Sequence, residues 1–177
     1  MPEISTERLL LRHFRADDLG PHREAVDDDP AVTWHHKRWS LAESLRRWAE
    51  RLEQWERGGF GMWIVEERAT GAVIGHCGLQ PMDDSDDVEL GYYLGRSSWG
   101  RGYATECAEA SLRFGFERVK LPRIVAVTRV RNTASQHVLE KLGMTFEGKA
   151  TAYGFPVRRY GIDRATWRAR QRSAPSS

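Results

Sequence analysis

The hexapeptide Trp99-Gly100-Arg101-Gly102-Tyr103-Ala104, followed at once by Thr105 and a helical pattern, is where this sequence most plainly invites chemistry. Two glycines and an alanine at a helix start leave backbone N–H groups uncovered, and unpaired donors with partial positive charge favour an anionic phosphate. A pyrophosphate is the ligand such a loop would take. A tight turn that uses glycine for its conformational freedom is the other reading of the same residues. Other chemical clusters carry less. Asp83-Asp84-Ser85-Asp86-Asp87 has the acidity of a calcium loop but lacks the glycine and glutamate that such a loop needs, so it reads as a solvated turn. His35 and His36 are neighbours pointing in different directions, and His76 lies inside a strand pattern where a packed histidine is the usual case. Cys77 and Cys107 are far apart and lack metal-ligand or paired spacing, so both are expected reduced and buried, with no metal site.

The elements around the loop decide between its two readings. Residues 88–94 form a strand pattern that delivers the chain to Arg96 and the loop. Ala104, Ala108, Ser111, Leu112, Gly115 and Val119 then recur at helical spacing, with Glu106, Glu109, Arg113 and Glu117 on the other side; Pro122 marks the exit. Ile124, Val125 and Val127 form a short buried strand. The centre of the chain is therefore a βαβ unit with the loop between its first strand and its helix, where α/β sheets place ligands.

Upstream, residues 6–14 read as a first strand, with Leu9 and Leu11 on one face and Leu10 and Arg12 on the other. Residues 16–26 are weakly helical and end at Asp27-Asp28-Asp29-Pro30. Ser40-Leu41-Ala42-Glu43 is a capping box, after which Leu41, Leu45, Trp48, Leu52 and Trp55 fall on one helical face that should be buried. Gly58-Gly59 ends that helix. Residues 60–66 and 72–79 read as a hairpin joined by Arg68-Ala69-Thr70-Gly71. Downstream, a helix after Asn132 runs through Ala134, Val138, Leu139 and Leu142 to Gly143, and residues 144–147 and 158–163 read as closing strands. Residues 1–169 form a single domain, and 170–177 are expected to be a polar, disordered tail.

Composition narrows the function classes. A chain of 177 residues suits one domain with a real core, and seven Trp, six Phe and five Tyr support it. The net charge is only +2 and the arginines are spread along the chain, so no nucleic-acid footprint stands out. No stretch approaches the roughly 18 apolar residues of a membrane span, and the N-terminus lacks a targeting pattern, so the cytoplasm is the expected compartment.

Four segments, in order, resemble the GNAT superfamily of acetyl-CoA-dependent N-acetyltransferases, and within it the RimJ/RimL-like branch that acetylates ribosomal-protein N-termini. They are Thr6-Glu7-Arg8-Leu9-Leu10-Leu11-Arg12, Glu89-Leu90-Gly91-Tyr92-Tyr93-Leu94, the loop from Trp99 to Glu106, and Asn132-Thr133-Ala134-Ser135 with Glu140-Lys141-Leu142-Gly143-Met144. The resemblance implies an α/β fold built on a twisted, mostly antiparallel sheet of about six to seven strands. A splayed parallel pair would mark the acetyl-CoA site, and about four helices would flank the sheet. It also implies that Gly100 and the amides of Arg101, Gly102, Tyr103, Ala104 and Thr105 hold the CoA pyrophosphate. The backbone of Tyr92, Tyr93 and Leu94 would pair with the pantetheine arm like an added strand. Trp99 stands where the wider family has Arg or Gln, which removes a side-chain hydrogen bond there. Many members carry a tyrosine late in the second helix that protonates the departing thiolate; here that place is Leu139. The RimL-like solution is a serine at the start of the helix, which Ser135 matches, while Asn132 would cap the helix and touch the cofactor. The resemblance allows a homodimer.

Transfer from a thioester to an amine needs a neutral amine, a polarised carbonyl and a proton for the sulfur. An α-amine with pKa near 8 is about one-tenth neutral at pH 7, and a lysine lies about 3 kcal/mol further from reactivity. A carboxylate acting through water suffices for the former. Glu89, at the start of the strand leading to the loop, is the candidate base, and a backbone N–H near Tyr93 the oxyanion donor. The acceptor cleft is expected from residues 34–39, the first two helices and residues 153–155. The leading acceptor is a protein or peptide N-terminal α-amine. A small-molecule amine such as a polyamine, amino acid or amino sugar is the rival, and a non-catalytic acyl-CoA-binding module the alternative of another class. Neither nucleic acid nor membrane is an expected partner.

Overall fold

A computed structural model describes residues 1–82 and 85–173. Eight strands among them, β1 (Ile4–Ser5), β2 (Leu9–Arg12), β3 (Met62–Glu67), β4 (Ala72–Pro81), β5 (Val88–Leu94), β6 (Arg123–Arg129), β7 (Thr145–Ala152) and β8 (Phe155–Asp163), form one sheet. Their order is β1-β2-β3-β4-β5-β6-β8-β7. All neighbours are antiparallel except β5 and β6, which pair in parallel where Glu89 faces Val125. The strand count exceeds the six to seven expected because residues 4–5 form a short pair with β2, and residues 6–8 turn instead of extending the first strand.

The helices are α1 (Leu19–His22), flanked by tighter and wider turns over residues 16–27, α2 (Leu41–Gly58), α3 (Tyr103–Phe114), α4 (Thr133–Lys141) and α5 (Arg164–Ser173). α5 is the fifth helix where about four were expected, and it takes residues 170–173 out of the polar tail. Asp163 fixes its start, accepting the Thr166 amide at 2.7 Å and its hydroxyl at 3.0 Å, and Trp167 packs into the core on Phe116. Residues 174–177 of that expected tail lie outside the described residues, as do Asp83 and Asp84 of the acidic turn.

α2 begins at the expected capping box, with the Glu43 amide donating to Ser40 Oγ at 3.2 Å and the Ser40 amide to the Glu43 carboxylate at 2.8 Å. Its buried face is not the one expected. Trp48 and Trp55 are buried, but Leu41, Leu45 and Leu52 are 53%, 48% and 38% exposed. The helix is turned so that Ser44 and Arg51 join the tryptophans on the inward side. They can do so because they find polar partners there: Ser44 donates to Asp27 at 2.6 Å and Arg51 to His76 at 3.0 Å. Leu9, Leu11, Trp63, Leu79, Leu112, Phe116, Ile124 and Tyr160 are among the residues that form the main core between the sheet and α3. Among the described residues no helix is long and apolar enough to cross a membrane, and no cluster fits a metal ion.

Candidate functional site

β5 presents its residues to opposite sides of the sheet. Glu89 and Tyr93 project towards α1 and α2, whereas Tyr92 reaches α4. The Gly95 amide donates to the Ile74 carbonyl at 2.9 Å, so antiparallel alternation points the amides of Glu89, Gly91 and Tyr93 at β4. Those of Leu90, Tyr92 and Leu94 face the divergence of β5 from β6. The Leu94 carbonyl is correspondingly available, and accepts the Trp99 indole N–H at 2.7 Å. The open backbone donors beside Tyr93 are thus on Tyr92 and Leu94.

The glycine loop enters α3 through Gly100 at φ 73° and Gly102 at φ 81°, a left-handed conformation that side chains with a Cβ avoid. No side chain caps the helix, and its first backbone bond runs from the Glu106 amide to Gly102 O at 3.1 Å. The amides of Tyr103, Ala104 and Thr105 therefore lie ahead of the helical ladder, which is the donor set a pyrophosphate requires. Trp99 is a strut from the loop to β5, and the residue as a whole is 53% exposed. Arg8 latches the loop from outside. Its guanidinium pairs with Glu106 at 2.7 Å and donates to the Arg101 carbonyl at 2.8 Å, and its backbone amide also donates to Glu106. Thr6 donates to the same carboxylate at 2.6 Å, so Glu106, expected on the outer side of the helix, is a buried-side anchor for the opening segment. Glu67 does the same from β3, taking Arg101 at 2.7 Å and the Tyr103 hydroxyl at 2.5 Å.

On the α4 side, Asn132 Oδ1 accepts the Ser135 amide at 3.1 Å and caps the helix. Ser135 Oγ lies 2.7 Å from the Tyr92 hydroxyl. Burial pushes the Tyr92 phenol well above its ordinary value, so it is protonated at neutral pH. Leu139 is buried in the core.

On the opposite side, Glu89 is 5% exposed and its carboxylate accepts Gln80 Nε2 at 3.0 Å and the Tyr153 hydroxyl. Tyr153 reaches it from the β7–β8 turn, where its φ is 51°. Trp34 packs edge-on against Tyr153 and Phe155, and His35 against Trp39. The segments expected to flank the acceptor are therefore brought together. Tyr93 stacks on His76 at 5.0 Å, and its phenol is pushed up to about 12 by burial and by Glu89. His76 in turn meets His22, Nδ1 to Nε2, at 2.8 Å. Burial first, then Arg51 and Arg47, hold His22 down to about 3, and His76 is depressed for the same reasons. Both imidazoles are neutral. Sequence reasoning missed this pair, the Arg8 latch and the Gln80 and Tyr153 contacts, because each joins residues remote in the chain. Cys77 and Cys107 are free, buried thiols, as expected.

The description of one protein family, Acetyltransferase (GNAT) domain, matches residues 8–145. The uncharacterized N-acetyltransferase p20 of Bacillus licheniformis is 38% identical over 157 residues, covering 86% of this chain and 88% of the relative. The crystal structure of an acetyltransferase from Agrobacterium tumefaciens superposes with a TM-score of 0.81 at 28% identity, covering 92% of this chain and 94% of that chain. RimL, a ribosomal alpha-N-protein acetyltransferase solved in complex with coenzyme A, superposes with a TM-score of 0.75 at 20% identity, covering 92% of this chain and 98% of that chain. The last is a likeness of fold.

Proposed function

This chain belongs to the GNAT acetyltransferase family and is an acetyl-CoA-dependent N-acetyltransferase, and from that premise we propose that its acceptor is an α-amine, as at the N-terminus of a protein or peptide, in the manner of the RimJ/RimL branch. The observation that carries this reading is the position of Glu89. One buried carboxylate, oriented by Gln80 and Tyr153, stands where the parallel pair begins to diverge. A single base of that kind suits an amine that is already neutral about one time in ten, and falls about 3 kcal/mol short for a lysine.

Acetyl-CoA would supply the thioester, its pyrophosphate on the amides of Tyr103, Ala104 and Thr105 and its pantetheine arm along Tyr92 and Leu94. Glu89 would take the amine proton, directly or through water. The amine nitrogen forms its bond to the acetyl carbon in a ternary complex, the carbonyl oxygen is held by an open β5 amide, and the carbon–sulfur bond then breaks. Tyr92, held protonated, donates to Ser135 Oγ and leaves the serine proton to meet the departing sulfur. Glu89 and Ser135 thus approach the gap beside β5 from opposite sides of the sheet, one serving the amine and the other the sulfur.

The test is free-thiol release from acetyl-CoA with three acceptors: a peptide with a free N-terminus, the same peptide N-acetylated with an internal lysine, and spermidine. Turnover of the first alone is expected. Faster turnover of spermidine would replace this reading with the small-molecule one.

A further inference from the structure

Arg12, Arg96, Arg101 and Arg159 each close on a carboxylate. Arg47, Arg51 and Arg129 form no ion pair among the described residues, and all three are half-buried on the Glu89 side of the sheet. Their neighbours are aromatic. Arg47 lies over the Trp39 ring at 4.5 Å, Arg51 over Trp48 at 4.9 Å, and Arg129 over Phe155 at 3.4 Å. Arg129 gives one nitrogen to the Trp34 carbonyl at 2.7 Å, while its Nε is buried without a partner. Contacts tie all three to the surroundings of Glu89: Arg51 through His76, which stacks on Tyr93; Arg129 through Trp34, which packs on Tyr153; and Arg47 through Trp39, which meets His35.

The fixed groups around that place offset only part of its positive charge. Asp27 and Glu89 are held by the neutral donors Ser44 (2.6 Å), Gln80 and Tyr153, which leave the carboxylate charges in place, and Asp27 acts on Arg51; Asp18 is taken by Arg12 at 2.7 Å. Lys37 adds a further cation, itself paired with Glu43 at 3.1 Å. Arg51 can only donate, so His76 accepts at Nε2, carries its proton on Nδ1 and donates it in a hydrogen bond to His22 Nε2. This neutral pair fixes the direction of the guanidinium without discharging it. Ring faces return only part of what burying a guanidinium costs. Arg47 and Arg51 also stand four apart on α2, a like-charge spacing that weakens a helix. Three such cations persist on one face where something arriving supplies the anion, and the guanidinium fork matches a carboxylate.

We propose that the acceptor carries a carboxylate close to its amine, and that Arg47, Arg51 and Arg129 form the site that receives it while Glu89 faces the amine. This rests on the α-amine reading above and narrows it to acidic acceptors. An acidic peptide N-terminus and a free acidic amino acid share that chemistry.

The experiment compares thiol release with peptides beginning Asp-Ala and Asn-Ala, and with free aspartate. Thermal shifts of the CoA-loaded protein with N-acetylaspartate and N-acetylasparagine, each as its α-amide so that only the aspartate ligand carries a carboxylate, are read alongside. The Asp peptide is expected to exceed its Asn counterpart in kcat/KM by about tenfold. N-acetylaspartate alone should raise the melting point. R47Q and R51Q should each draw the Asp-to-Asn ratio towards one and reduce the shift. A faster free amino acid would identify the small acceptor and a faster peptide the large one, and either supports the site. Equal rates for Asp and Asn peptides, or equal shifts from the two acetylated ligands, would overturn it. A selective shift without turnover of any amine would leave the anion site standing and sink the α-amine reading.

Discussion

The hydroxyls of Tyr92 and Ser135 lie 2.7 Å apart, one delivered by a central strand and the other by the first turn of α4. The tyrosine expected from the resemblance is replaced by Leu139, yet a tyrosine still stands beside Ser135, the proposed proton donor, approaching from the sheet. S135A is expected to lower kcat about a hundredfold, the lower end of what a positioned proton donor contributes, with the Kd for CoA unchanged. Y92F should lower kcat by less, and the double variant should match S135A, because the two hydroxyls act as one unit. Loss of CoA binding without loss of kcat at saturation would confine Ser135 to the helix start.

Glu89 should behave as a base. E89Q is expected to reduce kcat about a hundredfold or more while moving the KM for acetyl-CoA little. Y153F and Q80A, which relax the carboxylate's orientation, should fall between E89Q and the parent. Unchanged turnover by E89Q from pH 6 to pH 9 would remove Glu89 from the reaction.

G102V should abolish CoA binding, since φ 81° strains any side chain and an added Cβ would meet the Arg8 guanidinium at 3.3 Å. R8A leaves the backbone geometry permitted but frees the loop from β2. It is expected to raise the Kd for CoA about tenfold, or 1.4 kcal/mol, with kcat at saturation retained. Calorimetric titration with CoA measures both variants, and a normal dissociation constant for G102V would defeat the phosphate-cradle assignment.

Stability should fall in mild acid. His22 and His76 are held neutral, with His22 near 3 in the folded protein and an ordinary histidine near 6.5 when unfolded. Between those values the unfolded chain binds protons that the folded one refuses, so stability is full above about pH 6.5 and declines as pH falls towards 3. Urea midpoints measured from pH 7 to pH 4 should drop, and H76Q should drop less steeply over that range. Parallel slopes for the two proteins would show that the imidazoles do not contribute.

Features with local causes were legible in the sequence. The Ser40–Glu43 box, the Asn132 cap and the left-handed glycines at 59, 102 and 143 are written within a few residues of where they act. β5 begins and ends where its apolar pattern does. The orientation of α2 was not legible, because two overlapping stripes share Trp48 and Trp55. The choice between Leu45 and Ser44 on the inner side depends on Asp27 and His76 in other elements. The same holds for Tyr153 on Glu89, 64 positions away, and Arg8 on Glu106, 98 positions away. Arg47 and Arg51 left a trace, a like-charge pair at helical spacing, whose meaning needed the face to which it points.

The strand order β6-β8-β7 gives the molecule a schedule. β1 to β5 lie in the sheet in the order in which the chain runs, even though α1 and α2 intervene between β2 and β3. A nascent polypeptide can therefore assemble them and the glycine loop after β5, with its Glu67 anchor, before β7 and β8 exist. β8 must enter beside β6, and the turn before it carries Tyr153 to Glu89. Synthesis from the N-terminus exposes this final hairpin last. The protein would gain its grip on the donor during synthesis and its acceptor side only when the last hairpin has left the ribosome, so catalysis is the final property that folding confers.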